Sequence, residues 1–152
     1  MTEPIRIVQL EPRRLAGIRR TFPQSKLGAF FTEAYPKIAA ALGTARARPI
    51  GKPLARYFNN DPAAFDVEAG IPFDGSFAGS GSIAVTELPG GKAAMTVHLG
   101  TYETLALEYK RIMAWAEANG TRLGDGPWEV YVNDPSNATQ DELRTEVYFP
   151  LA

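Results

Sequence analysis

The stretch GPWEVYVNDPS, residues 126 to 136, sets a carboxylate and a phenol two residues apart in an otherwise apolar run. Read as a strand, alternation puts Glu129 and Tyr131 on one face and Trp128, Val130 and Val132 on the other. The valine face suits a helix-covered core, so Glu129 and Tyr131 are expected on the open face. A carboxylate among aromatic walls has two uses. Ionised, it neutralises a bound cation, which ring faces also attract. Drawn out of water, a carboxylate gains basicity and can activate water, with Tyr131 as proton donor or orienting group. The structural alternative is an ion pair or plain exposure, and structural ion pairs imitate functional sites.

Other residues could line the same place. Tyr148, Tyr57 and Phe58 are aromatic wall candidates, although tyrosine suits strands in any case. In the last strand Glu146 and Tyr148 share a face opposite Thr145, Val147 and Phe149. Trp115, on a helix, either reaches over the sheet edge as a further wall or belongs to the core. His98 is the only histidine. It precedes Gly100 at a strand-to-helix corner, where its ring can hydrogen-bond the turn, and a Ser-His-Asp relay could run only through it.

Several elements must position these groups. Residues 5–22 read as strand, interrupted near Pro12. Residues 25–43 read as a helix with Leu27, Phe30, Phe31, Ala34, Ile38, Ala41 and Leu42 on one face, and Pro36 is expected to kink or split it. Short strands are expected around residues 54–61 and 65–73, separated by the Asp61-Pro62 turn. Strands also fit residues 83–91 and 92–100. Residues 101–120 read as a second helix, started at Thr101 and stopped at Gly120, with Leu105, Tyr109, Ile112, Met113 and Ala116 as its apolar stripe. A last strand closes the chain.

The halves look alike: strand, helix, strand, Asp-Pro turn, strand. ARYFNNDP ends at Pro62 and WEVYVNDP at Pro135, while VEAGIPF matches TEVYFPL, pairing Glu68 with Glu146 and Pro72 with Pro150. On this alignment Arg56 falls opposite Glu129, and Phe58 opposite Tyr131. Both therefore join the candidate ligand-binding set, and Arg56 is also the obvious ion-pair partner for Glu129. Two βαββ units merge into one antiparallel sheet with two helices on one face and a central groove on the other. This is an α+β fold in one domain over residues 1–152, with pseudo-repeat halves at about 1–75 and 82–152. The Gly/Ser-rich stretch at about 74–82 is the expected link. GSGS there has no following helix to offer amides to phosphate, so a nucleotide loop is not expected. RRLAGIRR, residues 13–20, reads as a charged strand edge that guards against edge pairing, or as a contact for an acidic partner.

With 152 residues, 45% of them hydrophobic and 22% charged, the chain has material for one proper core. A formal net charge of −1 gives no general attraction for nucleic acid or anionic membrane. The absence of cysteine excludes disulfides and thiolate chemistry, and a lone histidine excludes a His-rich metal site. No run reaches the roughly 20 apolar residues of a membrane span, and the N-terminus has no signal-peptide pattern. Cytoplasm is the expected compartment.

Three stretches carry a family resemblance: HLGTYETL (98–105), GPWEVYVNDP (126–135) and ELRTEVYFPL (142–151). In this order they resemble the GyrI-like domain, the effector-binding domain of AraC- and MerR-type multidrug regulators. The resemblance implies the duplicated βαββ fold and a groove lined by aromatics around one acidic residue, matched here by Glu129. It implies a lipophilic aromatic, cationic or electrophilic ligand, and no metal or organic cofactor. Related stand-alone domains are known as gyrase modulators or as hydrolases of strained electrophiles, so capture with hydrolysis by Glu129 as base, and a protein-interaction role toward gyrase or a regulator, both stay open. The regulators add a helix-turn-helix reader; here the domain uses all 152 residues. A stand-alone member is therefore expected, without direct nucleic-acid binding. A duplicated fold completes its own core, which favours a monomer.

Overall fold

The computed structural model describes residues 3–152. Among the described residues it holds two α-helices and nine strands, the α+β class expected. Main-chain contacts divide it into two units: Met1–Glu11 with Gly90–Ala152, here the split unit, and Pro12–Pro89, the continuous unit.

Strand β1 (Arg6–Leu10) stops before Pro12, which has no N–H to offer a ladder, and β2 (Arg13–Phe22) starts just after it. The continuous unit goes on through α1 (Leu27–Thr44), β3 (Arg48–Pro49), β4 (Leu54–Tyr57), β5 (Phe65–Asp74) and β6 (Ala84–Leu88). Its strands lie in the order β4-β5-β2-β6, each pair antiparallel, with β3 also on β5. Helix α1 buries Phe30, Ala34, Ile38 and Leu42, a series spaced by four. Phe30 meets Phe22 of β2 at 4.9 Å between ring centroids, and Arg20 pairs with Glu33 of the helix. The α1 face of the sheet therefore carries Ile18, Arg20 and Phe22 with their cross-strand partners Ala69, Val67 and Phe65. Pro36 was expected to kink or split the helix. The helix is not split: α1 runs from Leu27 to Thr44 through Pro36, which lies on the exposed side.

The split unit contains β1, β7 (Gly91–Leu99), α2 (Leu105–Ala118), β8 (Trp128–Tyr131) and β9 (Arg144–Pro150), in the order β1-β7-β9-β8. Helix α2 buries Leu105, Glu108, Ile112 and Ala116. Met113, expected in that stripe, is 52% exposed, and Glu108 takes a buried place instead. The cause is pairing: Glu108 accepts from Arg111 Nε at 3.0 Å and from His98 Nδ1 at 2.6 Å, so its charge is not buried alone. Under α2 the apolar core is Ala94, Leu105, Ile112, Val147 and Phe149, with Tyr109 and Trp115 packed against it. No helix among the described residues is long and apolar enough to cross a membrane.

Candidate functional site

Strand β8 is short, and it holds the acidic residue by its register with β9. Glu129 lies opposite Val147 and Tyr131 opposite Thr145. Directly opposed residues share a sheet face. Val147 belongs to the core under α2, so Glu129 and Tyr131 face the helix. The expectation that Glu129 points away from the helices is thus overturned. Both faces of β8 are buried at Trp128, Glu129 and Val130, so the apolar partners of alternation do not mark the helix side. Trp128 occupies the other face, stacked on Tyr148 at 5.4 Å with an interplanar angle of 11°.

Glu129 is 6% exposed, and its carboxylate is held at both oxygens. Tyr109, from α2, donates its hydroxyl to Oε2 at 2.6 Å, and Tyr131 donates to Oε1 at 2.9 Å. Hydrogen bonds from neutral donors offset the cost of desolvating a carboxylate and fix its direction. Tyr102, just before α2, meets the Tyr131 ring edge-on at 5.8 Å and is partly exposed. Burial pushes the Tyr102 phenol up from its usual range, with the Asp134 and Glu129 carboxylates adding to the shift, so it remains a neutral phenol at physiological pH. The result is one anionic group bracketed by two hydroxyls, with a third ring at its outer side. Such a group can neutralise a lipophilic cation or accept a proton from a positioned water.

A polar row continues across the same face. His98 is the cross-strand partner of Thr145, and its Nδ1 donates to the buried Glu108. Its Nε2 lies 2.9 Å from the Thr101 carbonyl and 2.9 Å from Thr104 Oγ1, so the ring meets the turn as the sequence predicts. Arg111 ties this group to Thr96 Oγ1 at 2.6 Å and to the Glu3 carbonyl at 2.7 Å. Beside the turn lies a depression of about 490 Å³ lined by Leu99, Gly100, Thr101, Thr104, Gln140 and Asp141. Among the described residues no three His, Asp or Glu side chains are grouped as metal ligands would be.

Tyr148 lies on the face of β9 opposite Val147 and donates to Glu146 at 3.0 Å. Trp115 packs against the core under α2. Arg56 and Phe58 belong to the continuous unit and line a pocket of about 360 Å³ there with Gly17, Arg19, Glu68 and Thr86. This pocket opens on the face opposite α1, since Arg19, Glu68 and Arg56 oppose one another in register. Both guanidinium groups lie over the Phe58 ring, at 3.7 Å for Arg19 and 5.0 Å for Arg56. Burial lowers the Arg56 pKa, the Glu68 carboxylate partly restores it and Arg19 lowers it further. Glu68 is 3% exposed and accepts from Thr86 at 2.7 Å. A Cβ on Gly17 would stand 2.5 Å from Glu68 Oε2, so glycine there makes room for the carboxylate.

The registers also correct the repeat alignment. Leu54·Gly70, Arg56·Glu68 and Tyr57·Val67 match, pair for pair, Trp128·Tyr148, Val130·Glu146 and Tyr131·Thr145. Glu68 does correspond to Glu146, but Arg56 corresponds to Val130, and Ala55 holds the place of Glu129. The Asp-Pro turns mislead because Asp61 follows Tyr57 by four residues while Asp134 follows Tyr131 by three. A one-residue slip turns every side chain to the other face. The sequence also gives Tyr109 no role beyond an apolar stripe; its spacing to Ile112 places it on the flank of that stripe, which is the one signal that its hydroxyl can reach sideways to β8.

The crystal structure of the C-terminal domain of EcmrR matches with a TM-score of 0.88 at 21% identity, over 98% of this chain and 97% of that one. A hydrolase from Listeria innocua matches at 0.71 and 13% identity, over 97% and 91%. SAV2435 bound to tetraphenylphosphonium matches at 0.70 and 14% identity, over 99% and 94%. At these identities the likeness is one of fold. Among curated proteins no match is found. The model of the GyrI-like small-molecule-binding domain matches residues 3–152, and the chain belongs to that family.

Proposed function

We propose that this GyrI-like domain captures lipophilic aromatic cations at Glu129. The observation that carries this reading is the buried carboxylate held by two phenol hydroxyls on the α2 face. The anion is the counter-charge. Tyr131, Tyr109 and Tyr102 supply ring faces, and the cation gains from both when water is excluded. The ligand-bound relative, with its tetraphenylphosphonium, supports the choice of ligand class.

A second reading is turnover. The same carboxylate, oriented by two phenols, suits a general base for water attack on an electrophile, with Tyr131 returning a proton. The likeness to a hydrolase favours keeping it in the same experiment. A protein-interaction role finds less support, because Glu129, at 6% exposure, is poorly placed to meet a protein surface.

The test is thermal unfolding of wild type and Glu129→Gln with tetraphenylphosphonium and with strained electrophiles, each mixture checked by mass spectrometry. At a ligand concentration about 100 times Kd, mass action adds roughly 2.7 kcal/mol of stability. This is a rise in Tm of about 5–10 °C for a domain of this size. The cation should stabilise wild type and leave the Gln variant within about 1 °C of its ligand-free Tm. Equal shifts in both proteins would remove Glu129 from the reading, and product formed by wild type alone would move it to catalysis.

A further inference from the structure

Among the described residues, Thr145 carries a buried side-chain oxygen that is left unpaired. It is 0% exposed, and its Oγ1 is buried with no hydrogen-bond partner. A buried hydroxyl left unmade is costly, and such a group calls for an explanation. Its position supplies one. Thr145 lies between Tyr131 of β8 and His98 of β7, its partners in register on either side, on the face that Glu129 shares. The two hydroxyls nearest the carboxylate, Tyr109 and Tyr131, already give their protons to Glu129. Thr104 Oγ1 is engaged with His98 and the Thr101 carbonyl. The Thr145 hydroxyl is thus an uncommitted donor beside the anionic centre, in register with Tyr131, whose ring Tyr102 meets at its edge.

We infer that Thr145 is a specificity-determining residue: its hydroxyl donates to an acceptor oxygen on a cationic ligand that enters beside Tyr131. This rests on the reading of Glu129 as the counter-charge and adds to it a preferred ligand, a lipophilic cation that also carries a carbonyl or ester. Entry needs the Tyr102 and Tyr131 rings to turn aside, a rotamer change of the kind common at binding sites. The hydroxyl then gains the partner that the free protein denies it.

Two probes separate the possibilities: benzyltriphenylphosphonium, which has no acceptor, and its para-methyl-ester derivative. Both would be titrated into wild type, Thr145→Val and Thr145→Ser, with the Tm of each free protein measured. Valine keeps the shape and removes the orphan polar group, so the free variant should melt ~1–4 °C above wild type. It should bind the plain cation unchanged and the ester cation roughly fivefold more weakly, while serine restores the ester preference. If valine leaves both affinities unchanged, Thr145 has no part in recognition. If valine lowers the Tm of the free protein, the hydroxyl is already satisfied there, and the inference falls on that ground. If wild type binds neither probe, the counter-charge reading fails first and takes this inference with it, a result seen in wild type and so distinct from the other two.

Discussion

The two units solve the same packing problem with different chemistry at matching positions. Ile38 of α1 and Ile112 of α2 are both fully buried, and counting from them sets Tyr35 on Tyr109. In the split unit Tyr109 donates to Glu129. In the continuous unit Ala55 stands in the place of Glu129, fully buried, and the Tyr35 hydroxyl turns to the Leu54 carbonyl at 2.7 Å instead. The difference extends along the helices. Ala34 and Ile18 fill the places where Glu108 and Thr96 form the buried polar group under α2. One scaffold thus buries an apolar set under one helix and a polar set under the other. The lesson is that the fold needs only the apolar series, and the carboxylate is an addition that the fold tolerates because tyrosines satisfy it.

If the scaffold is shared, its central residues should cost the same. Ile38→Ala and Ile112→Ala should each lose about 2–5 kcal/mol in denaturant unfolding, through lost burial and a residual cavity. Values that differ by more than the spread of such substitutions would break the equivalence. Gly17→Ala forces a Cβ toward Glu68 Oε2 and should cost about 1–3 kcal/mol. The same change in a Glu68→Ala background should be close to neutral, which a double-mutant cycle reads directly.

The tyrosines sharpen the contrast between the two faces. Tyr109→Phe removes a hydrogen bond to a buried carboxylate and should lose about 1.5–3 kcal/mol. Tyr35→Phe removes one to a backbone carbonyl and should lose about 0.5–1.5 kcal/mol. Equal losses would argue that the Glu129 carboxylate is not special. The smallest effect concerns the surface pair Arg19–Asp66, two bonds of 2.8 Å. The Arg19 hydrogen bonds hold the Asp66 carboxyl below its usual value of 3.8. A depressed carboxyl stabilises above its unfolded pKa and loses that contribution as pH falls through the folded one. Asp66→Asn should therefore cost up to about 1 kcal/mol at pH 7, screened because Arg19 is half exposed, and the difference should close below about pH 4.

Much of this was legible in the residues. Helix periods gave the right faces at Phe30, Ala34, Ile38 and Leu42, and the three motif stretches led to the family. What failed to show was direction. Alternation in Trp128–Tyr131 separates two faces but cannot say which one a helix covers when both are buried. Glu108 was invisible as an interior residue because its burial depends on His98, ten positions earlier in the chain, and on Arg111. The repeat failed at Arg56 because turns tolerate an extra residue and strand faces do not.

Strand β1 precedes the continuous unit in the chain yet pairs with β7, from Arg6 on Met95 to Leu10 on Gly91. The Glu3 carbonyl likewise waits for Thr96 and Arg111. During synthesis, residues 12–89 can therefore close their own local contacts as they emerge, while β1 has no partner until β7 has been made. Strand β1 is made before its partner and installed late, as an edge. Its unpaired interval lasts for the translation of about 80 residues, ~4–16 s at 5–20 residues per second.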